Sequence, residues 1–268
     1  MSYLMLDVSE WQDRINWEQV ASKVSAVYIR ALYGSAHVDQ RLDAHSTGAD
    51  KADILIGYYH YVVPGITGRE DDAQYQAEQF AKLVRGRPRE LPCAVDVETT
   101  GSVGTDKLGL WFHDYVHALV SFGIGDWPVV YGPESILHVL ATSDVREVWL
   151  AWWPPQPPLP GARPPVPLGG SRLFAWQWTS QGRVPGIDGP VDLSWLYDLP
   201  PYAGKAYRVQ ERVAQPAIRT LPAWWVGDRL LVDVQSLCKA LDLDYSVVSP
   251  GSGPEFEHAV GVVVKPKG

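Results

Sequence analysis

The chain has 268 residues, 46% hydrophobic and 20% charged, the balance of a folded protein rather than a disordered one. No stretch approaches the ~18 consecutive apolar residues of a membrane span, and a net charge of −8 excludes the basic footprint of a nucleic-acid binder. Cys93 and Cys238 make neither a disulfide framework nor a metal pattern and read as reduced thiols.

The first half alternates β-branched runs with helix-patterned segments, the signature of βα units around a parallel sheet. Strands are predicted at Tyr3–Ser9, Ala26–Leu32, Ile54–Val62, Leu91–Glu98 and Trp127–Tyr131. Helices are predicted between and after them, at Asn16–Lys23, Val38–Ala52, Glu70–Arg85, Lys107–Phe122 and Glu134–Ala141. Glu70–Arg85 opens with acids and closes with Lys82 and Arg85, as the helix dipole favours. Beyond residue 147 the helices stop, and strands are expected at Val148–Trp153, Leu173–Thr179 and Val191–Trp195. Five βα units and three further strands supply the eight strands that close a barrel. The run 154–167, with eight prolines in fourteen residues, reads as a stiff loop inside that barrel, because a domain cut there would leave five βα units with an open sheet.

A domain boundary is placed near Pro200–Gly204, giving a catalytic barrel over 1–202 and a small α+β domain over 203–268. In the tail, Trp224–Val226 and Leu230–Val232 flank Gly227-Asp228, a hairpin turn. Asp233 is placed to cap a short helix through Leu241, and Tyr245–Val248 and Ala259–Val264 read as strands. The first 202 residues hold 15 basic and 24 acidic groups and ten of the twelve tryptophans. Carboxylates among aromatic rings suit a neutral polyhydroxy ligand, although most of these tryptophans are expected to fill the core.

The chemistry centres on Ala94-Val95-Asp96-Val97-Glu98-Thr99. Alternation on a strand puts Asp96 and Glu98 on one face, roughly 6.6 Å apart along the chain. Repulsion and burial then raise one pKa and leave a proton donor beside an anion, the division of labour in glycoside hydrolysis. Read alone, the pair also fits solvated strand-end acids or a divalent metal site. Asp7 closes the first strand and Asp192 opens the last, so four acids are candidates to meet at the mouth of one barrel. Tyr61, Tyr131 and Trp176 stand at other strand ends, and Arg30 is placed to pair with one of the acids or to make a barrel ion pair. No nucleophile elbow surrounds Ser9. No paired-histidine zinc motif, metal or cofactor is expected.

Asp-Val-Ser-x-Trp-Gln at 7–12, Tyr-Ile-Arg-Ala at 28–31, Gly-Tyr-Tyr-His-Tyr at 57–61 and Asp-Val-Glu at 96–98 resemble glycoside hydrolase family 25, the Chalaropsis-type lysozymes or N-acetylmuramidases. So do Val-Val-Tyr at 129–131, Trp-Gln-Trp-Thr-Ser at 176–180 and Gly-Arg-Val-Pro-Gly-Ile-Asp-Gly-Pro-Val-Asp-Leu at 182–193. The resemblance spans roughly 3–199 and keeps motif order. It implies a TIM-like (β/α)5β3 barrel, bacterial peptidoglycan as partner, and hydrolysis of the β-1,4 bond between N-acetylmuramic acid and N-acetylglucosamine with retention. It assigns the general acid/base to Glu98 and a supporting role to Asp96, as nucleophile or by orienting the substrate 2-acetamido group. Asp7 and Asp192 match acidic positions that hold substrate or tune that pair, and Tyr61, Tyr131 and Trp176 are candidate sugar contacts. Ala151-Trp152-Trp153 departs from the family, where a smaller or amide residue is common. The tail at 223–247 weakly resembles the small domain named after the N-terminal region of copper amine oxidases, with no copper implied. Its expected role is cell-wall binding or self-association.

Met1–Gln12 carries no basic leader region, and Asp7 and Glu10 interrupt any apolar core, so no signal peptide is expected. Together with a wall-degrading activity this suggests a phage endolysin, made in the host cytoplasm and acting on the wall after release. Two other readings stand beside the muramidase. A catalytically inactive peptidoglycan-binding barrel sits poorly with an intact set of four acids, and a metal-dependent polysaccharide deacetylase would need a histidine pair.

Overall fold

In a computed structural model, residues 2–140, 144–165 and 170–197 are described, together with the backbone of four strands in the tail. The chain divides into two compact units, Met1–Pro200 and Pro201–Gly268.

In the first unit β1 (Tyr3–Val8), β2 (Ala26–Tyr33), β4 (Leu55–Tyr61), β5 (Ala94–Asp96) and β6 (Val129–Pro133) are each followed by a helix: α1 (Trp17–Ala21), α2 (Leu42–Lys51), α3 (Asp72–Val84), α4 (Thr105–Leu119) and α5 (Glu134–Val139). Then come β7 (Glu147–Ala151), β8 (Arg172–Gly182) and β9 (Val191–Leu196) with loops between them. The pairings run β1-β2-β4-β5-β6-β7-β8-β9, and β9 returns to β1, which closes an eight-stranded barrel. All neighbours are parallel except those of β9, antiparallel to both β8 and β1. This is the expected (β/α)5β3 arrangement.

Where elements differ from expectation, a local bond explains it. Asn16 does not begin the first helix but caps it, its Oδ1 accepting from the Gln19 N–H at 3.1 Å. The second helix starts at Leu42 rather than Val38, because His37-Val38 (β3) fold back antiparallel onto Leu32-Tyr33. The strand expected over 91–98 pairs on both sides only across Ala94–Asp96. Past Leu119, α4 passes into one wide turn, Val120–Ile124, where Gly123 at φ 80° ends the helix. The described part of the proline-rich run is a loop between β7 and β8, tied to β9 where the Trp195 indole donates to Pro158 O at 3.1 Å.

Two cores follow from the alternation of side chains along the strands. Outward residues such as Leu6, Val27, Ile56 and Val95 share one core with Phe80, Phe112, Tyr115 and Leu119 of α3 and α4. Inward residues Met5, Tyr28, Trp149, Phe174 and Leu196 fill the barrel, as layers of side chains do in such barrels. With both faces covered, β2 reads Ala-Val-Tyr-Ile-Arg-Ala-Leu with every one of those residues buried. Each fully buried large apolar side chain contributes about 1.5–3 kcal/mol.

In the second unit Ala223–Val226 pairs antiparallel with Arg229–Val232, and Leu243–Val248 with Gly261–Pro266. These match the expected strands, the last ending two residues later than read from the sequence. The turn Gly227-Asp228, the helix expected from Asp233 to Leu241 and Ala259 lie outside the described residues.

Candidate active site

The inward set that plugs the barrel also aims the acids. Tyr3, Met5 and Asp7 share one face of β1, so an apolar lower layer leads up to a carboxylate at the C-terminal end. Because β9 runs the other way, its first residues lie at that same end, and Asp192 pairs directly with Asp7. On the opposite wall Asp96 pairs with Tyr61 of β4 and Tyr131 of β6, and Glu98 follows on the inner face. Gly132 admits this approach: a Cβ there would lie 2.5 Å from Val97 O.

Asp7, Asp96, Glu98 and Asp192 line one cavity of about 240 Å³, with Tyr59, Tyr61, Tyr131, Arg30, Gln177, Trp149, Trp153 and Trp11 among its walls. Trp11 and Trp153 form its exposed rim, at 80% and 57% exposure. Tyr61 stacks on Tyr33 with ring centroids 4.8 Å apart. Gln177 organises the floor. Its Oε1 accepts from the Tyr131 hydroxyl at 2.9 Å and from the Trp153 indole at 3.1 Å, while its Nε2 donates to Asp7 Oδ2 at 3.2 Å.

Trp176 is not brought to the cavity. It is 3% exposed and donates its indole N–H to Trp152 O at 2.5 Å. The reason is a bulge in β8: Val148 pairs with Leu173 but Trp149 pairs with Ala175. One extra residue reverses which side chains face inward, so Gln177 points into the barrel and Trp176 away from it. Sequence alternation alone cannot register that slip, although Gln177 stands in the Trp-Gln-Trp motif.

Electrostatically the cavity is a carboxylate cage. Burial, then Asp192, pushes the Asp7 pKa well up. Burial, then Glu98 and Asp7, does the same to Asp96, with Arg30 pulling weakly the other way. Glu98 is raised by burial and then by Asp192, and burial lifts Asp192 to about 6 while its bond with Asp7 works against the rise. Arg30 does not neutralise the set, since its guanidinium is engaged by Asp39 at 2.9 Å and Glu10 at 3.0 Å. Of the two partners read for it, the ion pair at the barrel wall is the one formed. Burial also raises Tyr59, Tyr131 and Tyr61, the last to about 12, so all three stay hydrogen-bond donors. Asp96 Oδ1 is buried and has no hydrogen-bond partner among the described residues. Such a site can hold a proton on a carboxyl group above the usual carboxylate range and present a buried acceptor two residues away.

The expectation that no histidines pair fails. His113 and His117 stand four apart on α4, outside this cavity, and with Asp144 they form a cluster of ligand-type side chains. Their spacing is plain in the sequence; the contribution of Asp144 is not.

The family model for glycosyl hydrolases family 25 matches residues 6–187. Lysozyme M1 of Streptomyces globisporus is 31% identical over 199 residues, 70% of this chain and 65% of its own length. The chain thus spans just under two thirds of that relative. A bacterial lysozyme from Streptomyces coelicolor superposes with a TM-score of 0.61 at 27% identity, over 74% of this chain and 93% of its own. The Clostridium perfringens spore cortex lytic enzyme SleM shares the fold over 99% of this chain and 87% of its own, with a TM-score of 0.64 at 22% identity.

Proposed function

The chain belongs to glycosyl hydrolases family 25, and from that premise we propose that it is a lysozyme cleaving the β-1,4 bond between N-acetylmuramic acid and N-acetylglucosamine of peptidoglycan, with retention. Glu98, its pKa raised by burial and Asp192, protonates the glycosidic oxygen and then takes a proton from water. Asp96 orients the substrate 2-acetamido group. That group's carbonyl oxygen attacks the anomeric carbon as the leaving group departs, and water reopens the ring so formed from the same face as the lost bond.

The observation that carries this reading is Asp96 Oδ1, a buried acceptor without a partner among the described residues, suited to the N–H of an acetamido group. The alternative, Asp96 as a direct nucleophile, needs an anion, which burial and then Glu98 and Asp7 disfavour. Tyr61, Tyr131 and the rim tryptophans supply sugar contacts. Asp7 and Asp192 hold substrate and tune Glu98.

Peptidoglycan digested with the protein, reduced with borohydride and read by mass spectrometry should show reduced N-acetylmuramic acid ends. Reduced glucosamine ends would reverse the bond assignment, and wall binding without new ends would make this an inactive binding barrel. Glu98→Gln should lose at least ~10² in kcat. A thiazoline analogue of the bicyclic intermediate should inhibit; indifference to it would favour the nucleophile.

We propose an endolysin role for this activity, made in a host cytoplasm, and wall binding or self-association for residues 203–268. Lysis of a host culture that occurs only when a membrane-permeabilising partner is co-expressed would support the first. Equal wall sedimentation of the full chain and of residues 1–202, with both monomeric, would remove the second.

A further inference from the structure

His113 and His117 lie on the last turns of α4, one helical turn apart, so both imidazoles project from one face. Asp144 reaches them from the segment before β7. His113 Nδ1 lies 2.8 Å from Asp144 Oδ2 and His117 Nε2 lies 3.2 Å from Oδ1. All three ligand atoms fall within 4.8 Å of one another. Two ligands each ~2.1 Å from a tetrahedral ion stand about 3.4 Å apart, so the group needs only small side-chain adjustments to close on one.

The surroundings hold it in place. The Trp127 indole donates to the Asp144 backbone carbonyl at 2.7 Å and meets the His117 ring edge-on at 5.4 Å. The Arg146 guanidinium stacks on the far partner of that contact, 3.5 Å from the Trp127 ring centroid. The Asp144 side chain is 10% exposed while both imidazoles are half exposed, which leaves the outer side open to water as a further ligand.

We propose that His113, His117 and Asp144 form a binding site for a divalent transition ion of the zinc type, which staples α4 to the segment leading into β7. Two imidazoles and a carboxylate suit zinc, nickel or copper rather than calcium or magnesium. On binding, each ring carries its proton on the far nitrogen, Nε2 of His113 and Nδ1 of His117, and no proton need be lost from a neutral ring. The site lies at the N-terminal end of the parallel strands, opposite the carboxylate cavity, where barrel residues serve stability rather than catalysis. It is therefore a structural site and independent of the proposed hydrolysis.

The test uses the full chain, stripped with a chelator and desalted. Zinc titrated by calorimetry should bind saturably and raise the unfolding temperature, and cobalt should develop a visible absorption band of low-symmetry coordination. Alanine favours helix, so His117→Ala and His113→Ala should keep the fold. Each should weaken zinc by at least about tenfold, as losses even outside the ligand shell do. Asp144→Asn should weaken it similarly while keeping a hydrogen-bond acceptor. Turnover of peptidoglycan should be the same with and without zinc. No saturable binding, or unchanged affinity in the double histidine variant, overturns the site, and turnover lost on zinc removal overturns its structural role.

Discussion

Replacing Asp192 by asparagine removes one charge from four carboxylates whose cavity shares a single guanidinium, Arg30, already engaged by Asp39 and Glu10. Burial lifts the Asp192 carboxyl from an ordinary 3.8 to about 6. Between those values the folded protein keeps a proton that the unfolded chain has released, so the wild type loses stability as pH rises through that window and levels off above it. At pH 7 the whole penalty is present, about 3 kcal/mol at most, since Asp7 shares the proton. Asparagine carries no charge to desolvate and still bonds to Asp7. The variant should therefore be more stable than wild type at pH 7, by up to roughly 6–12 °C for a unit of this size. At pH 4 the gain should shrink to a few tenths of a kcal/mol. Thermal unfolding of both proteins at the two pH values checks this. A gain of equal size at pH 4, or a loss at both, would mean that the charge is not what strains the cavity. Turnover should fall in the same variant, because groups held at perturbed pKa values are the ones chemistry uses.

Asp192 is also a charge that raises Glu98, so in Asp192→Asn the alkaline limb of the kcat/KM profile should move to lower pH; an unmoved limb would assign it to another group. Gln177→Leu strips the acceptor from the Tyr131 hydroxyl and the Trp153 indole together. We expect kcat to drop by about tenfold or more, one or two buried hydrogen bonds' worth, with folding retained by circular dichroism. Gly132→Ala would place a methyl 2.5 Å from Val97 O; it should destabilise by about 1–3 kcal/mol in denaturant titration and lower kcat by displacing Glu98. Trp11→Ala, at an 80% exposed position on the cavity rim, should raise KM several-fold with kcat and unfolding temperature nearly unchanged, as loss of a stacked ring does.

The sequence by itself determined the order of five βα units and three strands, the inward direction of Asp7, Asp96 and Glu98, and the loop nature of the proline-rich run. Each of these depends on alternation or on backbone restriction within a few residues, which is local physics. The direction in which the last strand enters the barrel was decided elsewhere. Asp192 meets Asp7 because β9 runs antiparallel into the gap between β8 and β1, a relation across 185 residues that no window of sequence holds. The same holds for Gln177 over Trp176, where the partner strand β7 fixes the bulge, and for Arg30, whose ion partners Glu10 and Asp39 sit on flanking loops. His113 and His117 could be paired from their spacing, but Asp144 joins them only when α4 packs beside the segment entering β7. Residue type and period set which side chains can face inward; the register of strands distant in the chain sets which of them meet.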